Sequence, residues 1–394
     1  MARNITVGID IGTYQVKVVV AELIKENGKN ITRIIGTGQT ESKGLRHGYI
    51  INGPDVTQSI VAAVKLAEKT SGVKVHKAFV AVGGIGLSGL TSTGSLIVGS
   101  ADSQITDLDI EKLNEICEEN LPTSVIQNHR ILHSIPLSYK IDGKMVLAKS
   151  PLDMKGTKLE VKMLFVTSLE SHLNDLLEAV DEAGIEVIDV LASPIAASFV
   201  TLSKTQKIAG AVLANIGAET VSIVVFENNI PISLEVFPIG STDITNDIAL
   251  GLKIPLEEAE NIKVRGLGGN SFSKKKLEDI ISARLADIFE LIENHLKKIG
   301  RNGLLPAGIF ITGGGASLGV AVEDFAKITL KLPSRITTMN LGGEKNYIKD
   351  STWAVAYGLC MLGFSKEEKT NLGIQNRMNR AGDKIFGWLK QFLP

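Results

Sequence analysis

The chain repeats itself. Asp10-Ile11-Gly12 returns 205 positions later as Asn215-Ile216-Gly217, and the match continues past the turn, with Val16, Val18, Val19 and Val20 falling opposite Val221, Ile223, Val224 and Val225. Each copy is a short apolar run, a glycine turn and a second apolar run. That pattern predicts a hairpin of buried strands, residues 5–9 into 16–21 and residues 210–214 into 221–226. Two halves that each open this way predict two similar domains facing each other across a cleft. Glycines at the tips let backbone N–H groups approach an anion such as phosphate, and an acidic residue beside them can hold a hydrated metal ion.

Strand-like and helix-like segments alternate along most of the chain, as in α/β layers. Residues 54–71 carry Val56, Ile60, Val64 and Ala67 at helical spacing, with Asp55 near the start and Gly72 past the end. A strand at 77–82 ends at Gly83-Gly84, and a helix at 170–183 stops at Gly184. Residues 85–166 differ in texture, with strand-like pieces at 95–98, 128–136 and 160–167 and a helix at 109–119. They predict a small α+β insertion in the first domain. A second, helical insertion follows the repeated hairpin, with helices at 241–250, 256–266 and 274–299. The last of these places Leu277, Ile280, Ile281, Leu285, Ile288, Leu291 and Ile292 on one apolar face. A strand at 307–312 then runs into Gly313-Gly314-Gly315 and a further helix. Residues 365–380 are polar without apolar periodicity and are expected to be a flexible linker.

At 394 residues the chain has room for two to four domains, and 44% hydrophobic with 22% charged residues is ordinary for a soluble protein. A net charge of −1 gives no basic field for nucleic acid. Cys117 and Cys360 lie far apart, without metal spacing, which fits a reducing cytosol. There is no apolar run long enough to span a bilayer, and Met1-Ala2-Arg3-Asn4 leads straight into a core strand without room for a signal peptide. A cytoplasmic protein is expected.

Two segments have the makings of a phosphate site. In Asp10-Ile11-Gly12-Thr13, Asp10 can hold magnesium through water, Thr13 can bond a phosphate oxygen, and Lys17 can neutralise charge. In 309–315 a strand enters three glycines before a helix, an arrangement in which free N–H groups meet a nucleotide.

Together, the Asp10 hairpin, the Asn215 hairpin and Gly313-Gly314-Gly315 resemble the actin and heat-shock-chaperone ATPase superfamily, whose two phosphate loops and adenosine loop occur in this order. Ser193-Pro194-Ile195-Ala196-Ala197-Ser198 resembles its helix connecting the domains. Within the superfamily the chain resembles FtsA, the actin-like bacterial cell-division family. That likeness rests on Gly240 with Asp243-Ile244-Thr245-Asn246-Asp247-Ile248-Ala249, on Pro255 with Ala259-Glu260-Asn261-Ile262-Lys263, and on His133-Ser134-Ile135-Pro136, Asp142-Gly143, Pro151 and Gly156 in the first insertion. The insertion also lies where this family carries one, whereas ordinary actins have theirs elsewhere.

The resemblance implies a two-domain actin-like α/β fold, a duplicated ribonuclease H-like ATPase, with the α+β insertion and a C-terminal amphipathic helix. The expected division is first domain (1A) at 1–84, 167–204 and 350–364, inserted subdomain (1C) at 85–166, second domain (2A) at 205–242 and 302–349, helical subdomain (2B) at 243–301, linker at 365–381 and terminal helix at 382–394. It also implies ATP and Mg2+ in the cleft. Asp10, Gly12, Thr13 and Lys17 would face phosphate and metal, Asn215, Gly217 and Thr220 would form the second loop, and Gly240, Glu260, Lys263, Gly313, Gly314 and Gly315 would lie near ribose or adenine. One departure stands out. The family's second loop usually reads Asp-Ile-Gly-Gly-Gly-Thr and here reads Asn215-Ile216-Gly217-Ala218-Glu219-Thr220. An amide brings no negative charge to a hydrated magnesium ion and is a poor general base, while Glu219 adds a carboxylate where phosphate oxygens would crowd. Nucleotide binding with very slow or absent hydrolysis is expected.

The end of the chain is the other informative segment. Ile385, Phe386, Trp388, Leu389, Phe392 and Leu393 form one helical stripe, with Lys384 and Lys390 beside it, and residues 377–394 carry a net charge of +3. A basic, aromatic amphipathic helix after a linker reads as an in-plane anchor for anionic membrane lipid. A single tail should bind weakly, and many tails on one polymer firmly. The resemblance implies a filament-forming adaptor at the division site that binds the C-terminal peptide of FtsZ, with Arg284 a candidate contact, and meets other division proteins at the cytoplasmic face of the membrane. A PilM-like pilus adaptor of the same fold would need no lipid helix. A sugar kinase would need a catalytic aspartate near the second loop, where Asn215 stands, and a chaperone would need a substrate domain beyond Gly363.

Overall fold

The computed structural model describes residues 3–26, 29–100, 102–267, 272–318, 320–339 and 350–371. β1 (Asn4–Ile11) and β2 (Gln15–Glu26) pair antiparallel with Asp10 opposite Lys17, and β3 (Lys29–Glu41) extends the far side of β2. A small hairpin, β4 (Leu45–Arg46) and β5 (Tyr49–Ile50), precedes α1 (Gly53–Ser71). Helix α1 begins where the Asn52 side chain accepts from the Asp55 N–H, and it ends at Gly72, whose φ of 70° suits a residue without Cβ. β6 (Lys77–Val82) then lies parallel to β1.

The first insertion follows, with β7 (Ser88–Ile97), α2 (Asp107–Glu119), the single turn α3 (Thr123–Ile126), β8 (His129–Ile141), β9 (Lys144–Met145) and β10 (Lys158–Leu169). Its sheet, in the order β7-β10-β8-β9, encloses a separate core around Leu113, Cys117, Met163 and Phe165. The chain returns through α4 (Glu170–Glu182) and β11 (Glu186–Ala192), which completes the first sheet as β11-β6-β1-β2-β3.

α5 (Ser193–Thr201) and α6 (Lys204–Ala209) lead into the second half. There β12 (Ala211–Ile216), β13 (Val221–Glu227) and β14 (Ile230–Phe237) form an antiparallel meander. Three helices follow: α7 (Ser241–Leu252), α8 (Leu256–Arg265) and α9 (Lys274–Lys298). β15 (Gly308–Thr312), α10 (Val320–Leu330) and β16 (Ser334–Ile336) complete a sheet ordered β14-β13-β12-β15-β16. The repeat is therefore deeper than its hairpins. Each sheet places an antiparallel meander on one side of its first strand and two parallel strands on the other.

The strands read as unbroken apolar runs because both faces are covered. Leu213, Val224 and Phe310 join the core of the first domain, while Val212, Ile223 and Ile309 lie under the helices of the second. α11 (Ala354–Asn371) returns to the first domain and crosses α5 and β1 at backbone contact. A Cβ on Gly358 would collide with Ala196 O, and one on Gly8 with Ala356 O.

On α9, Leu277, Leu285, Ile288 and Ile292 are buried and Ile280 and Ile281 partly so, but Leu291 is 36% exposed and Phe289 takes an inward place not assigned to it. α11 continues through Asn371, several residues into the polar stretch expected to be a linker. The membrane-binding residues Lys384, Ile385, Phe386, Trp388, Leu389, Lys390, Phe392 and Leu393 lie outside the described residues.

Candidate functional site

The two hairpin turns are the same device used twice. In the first, the Gly12 N–H donates to Gln15 O at 3.1 Å; in the second, the Gly217 N–H donates to Thr220 O at 2.8 Å. Gln15 and Thr220 are equivalent under the 205-residue repeat. Both turns face a cleft of about 610 Å³ between the domains, within the roughly 300–1,000 Å³ usual for small-molecule sites.

The equivalent positions differ in charge. Asp10 lies across from Lys17 in the first hairpin, whereas Asn215 lies across from Ser222 in the second. Burial pushes the Asp10 carboxyl up to about 6 against the opposing pull of Lys17. Burial also lowers the Lys17 ammonium, although Asp10 and Asp350 both favour its charged form. Lys17 Nζ donates to Thr352 O at 3.1 Å and sits 5.7 Å from the centre of the Trp353 ring. The returning segment 350–353 thus closes the floor of the cleft. Its Thr352 carbonyl ties to the first domain through Lys17, and its Ser351 carbonyl ties to the second through Thr312 Oγ1 at 2.9 Å.

On the opposite wall, the three glycines divide the work. A Cβ on Gly313 (φ 89°) would strike the Asn215 side chain, and one on Gly315 would strike Ile216, so these two pack the triple-glycine turn onto the second hairpin. Gly314 also lines the cleft, and a Cβ added there would meet nothing within 4 Å. The helix expected directly after these glycines begins instead as a 3-10 turn, Gly314–Leu318. Nearby, Lys263 Nζ reaches Ser241 O at 3.0 Å, Thr245 Oγ1 at 2.7 Å and Glu260 Oε2 at 2.7 Å. Thr245 Oγ1 also donates to Glu260 Oε2 at 2.5 Å. This network leaves the Glu260 carboxylate 40% exposed at the cleft, where it can accept from paired hydroxyls.

Of the residues expected at a nucleotide, Asp10, Gly12, Thr13, Lys17, Asn215, Gly217, Thr220, Glu260, Lys263, Gly313 and Gly314 line the cleft. Gly240 and Gly315 stand behind its walls, Gly240 because a Cβ there would collide with Ala218 O under the second turn. Sequence reasoning missed Ser222, Ser241, Thr242, Asp350 and Thr352, which also line the cleft. Ser222 was within reach of the repeat, being the counterpart of Lys17. Asp350 and Thr352 carried no signal, since the returning chain brings them in from about 130 residues beyond the second turn. Glu219 does not crowd the phosphate end of the cleft. Its carboxylate turns across to the His47 N–H. Arg284 is held away from the cleft in a two-pronged pair with Asp247 at 2.7 and 3.0 Å, and it also reaches Asp287 at 3.3 Å.

The donor set suits a phosphate-bearing ligand, with turn amides, Thr13, Thr220, Ser222 and the Lys17 ammonium. It is less generous to a divalent cation. Of the two equivalent turn positions only Asp10 is acidic, and its charge already faces Lys17. Asp10 can anchor magnesium through water from one side of the cleft, and Asn215 adds no charge from the other. Among the described residues no group of three His, Cys, Asp or Glu side chains could hold a metal alone.

Duplicated five-stranded domains closed around a glycine-walled cleft define a protein of the actin fold. The PilM–PilN type IV pilus biogenesis complex shares it with a TM-score of 0.66 and 18% identity over 91% of this chain and 98% of that one. MreB5 of Spiroplasma citri, solved bound to AMPPNP, shares it with a TM-score of 0.53 and 11% identity over 94% and 99%. The family model for "Cell division protein FtsA" matches residues 212–358, and that for the "SHS2 domain inserted in FTSA" matches residues 84–167, the first insertion. Cell division protein FtsA of Borreliella burgdorferi is 30% identical over 98% of each chain. This chain belongs to the FtsA family of cell-division proteins.

Proposed function

We propose that this chain binds ATP in the interdomain cleft, assembles into actin-like filaments and tethers FtsZ polymers to the cytoplasmic face of the membrane at the division site. The observation that carries the nucleotide reading is the pair of equivalent turns facing one cleft that Lys17 and Gly314 also line. Lys17 offers charge to the phosphates, and Thr13 and Thr220 offer hydroxyl donors from either side. Glu260, held by Lys263 and Thr245, accepts from ribose hydroxyls. Magnesium, when bound, would supply charge neutralisation beside Asp10.

Hydrolysis is expected to be very slow or absent. Activating a water needs a base, and Asn215 is a neutral amide where the repeat has Asp10. Robust magnesium-dependent turnover by pure protein would overturn this part.

Membrane attachment rests on the amphipathic sequence of 382–394. An FtsZ peptide at α7 and α9 would meet Arg284 already paired, so an acidic side chain there must compete with Asp247. The test is liposome co-sedimentation of the intact protein beside a form ending at Arg380, with and without ATP. Pelleting of the intact form alone with anionic vesicles supports the adaptor. If neither form pellets, or truncation changes nothing, the membrane role fails and a PilM-like adaptor that needs no lipid helix is the better reading.

A further inference from the structure

Glu219 is the residue of the second turn that a phosphate site should tolerate least, and its geometry gives it different work. Its Oε2 accepts from the His47 N–H at 2.5 Å, and its carbonyl oxygen lies 3.2 Å from His47 Nδ1. One residue of the second domain is therefore held at both side chain and main chain by one residue of the first, across the mouth of the cleft. His47 is itself in the left-handed region, with φ of 48°, an uncommon conformation for a residue with Cβ. Its carbonyl accepts from the Ile85 N–H at 3.2 Å, at the root of the first insertion. Beside it, Gly48 lines the cleft and abuts Gly84, where a Cβ would come within 3.1 Å of Gly48 Cα.

We infer that Glu219 is a positioning residue: with His47 it clasps the second turn to the β4–β5 turn, closing the phosphate end of the cleft, and the clasp continues through Ile85 to the root of the insertion. The inference rests on the nucleotide reading of the cleft. Turning the carboxylate outward removes a negative charge from the phosphates and uses it to hold the amides of 218–220 in place. Loss of the carboxylate leaves the His47 N–H without its acceptor, so the turn and the insertion root loosen together.

The test uses full-length protein and the Glu219→Ala and Glu219→Gln variants, with hydrogen exchange measured without nucleotide and fluorescent-ATP titration measured alongside. Glu219→Ala is expected to speed exchange at the His47 and Ile85 amides by at least about tenfold and to weaken nucleotide binding by about tenfold, the scale of one hydrogen bond. Glu219→Gln keeps an acceptor and should restore both. Exchange on β15 should stay unchanged in every form, which reports that the second domain remains folded. Unchanged exchange at residues 47 and 85 in Glu219→Ala would overturn the clasp. So would tighter nucleotide binding, the result expected if the carboxylate merely repelled phosphate. If the unaltered protein binds no nucleotide, the reading of the cleft fails, while the exchange arm still decides the clasp.

Discussion

Asp10 and Asn215 are equivalent in backbone and opposite in electrostatics, and the difference can be measured. The Asp10 carboxyl is raised in the folded chain from an ordinary value near 3.8 to about 6. The folded state then binds more protons than the unfolded one between these values, so stability falls as pH rises from about 4 to 6 and the cost is complete above that. It amounts to at most roughly 3 kcal/mol, an upper limit because Asp10 keeps some surface at the cleft. Asp10→Asn should therefore stabilise the ligand-free protein at pH 7 and lose that pH dependence, read from urea unfolding at pH 4.5 and 7, while weakening nucleotide binding. Asn215→Asp should act in reverse, making binding depend at least several-fold more on magnesium in calorimetric titrations. The triple glycine offers a second pair of tests. Gly314→Ala meets only open space and should leave the melting temperature alone while blocking ligand approach. Gly313→Ala, strained at φ 89° and driven into Asn215, should cost both fold and binding.

At the scale of elements, the hairpins, the helices and the outline of the insertion were legible because each announces itself locally, by apolar runs, glycine stops and caps. The deeper symmetry of the sheets was not. β16 is three residues long, and β11, although it carries Val187, Ile188, Val190 and Leu191, holds nothing that names its partner strand. Their places come from parallel pairing with strands far away in sequence. The crossing of α11 over α5 and β1 was equally silent, since a glycine in a helix gives no hint of the neighbour that requires it. Gly358→Ala puts a methyl into the backbone of α5 and should cost about 1–3 kcal/mol, seen as a lower urea midpoint, without touching the cleft.

For the whole molecule, a ligand held by both domains should bind only the folded chain. ATP at a hundred times its dissociation constant should add about 2.7 kcal/mol to unfolding, and a scan of melting temperature against ATP concentration reads this directly. The residues that bridge the halves, His47, Ser351 and Thr352, were invisible in the sequence because their partners come from the other domain or from distant chain and meet them only once the molecule has closed. The same holds for the insertion. Its strand β7 lies against β14, the outer strand of the second sheet, closely enough that a Cβ on Gly89 would sit 2.9 Å from Leu234 O. An open strand edge invites pairing with any passing chain. The insertion thus serves as a cover as well as a module. β14 already carries Pro231 and Glu235, devices that blunt a strand edge, and the insertion adds a physical cover to them.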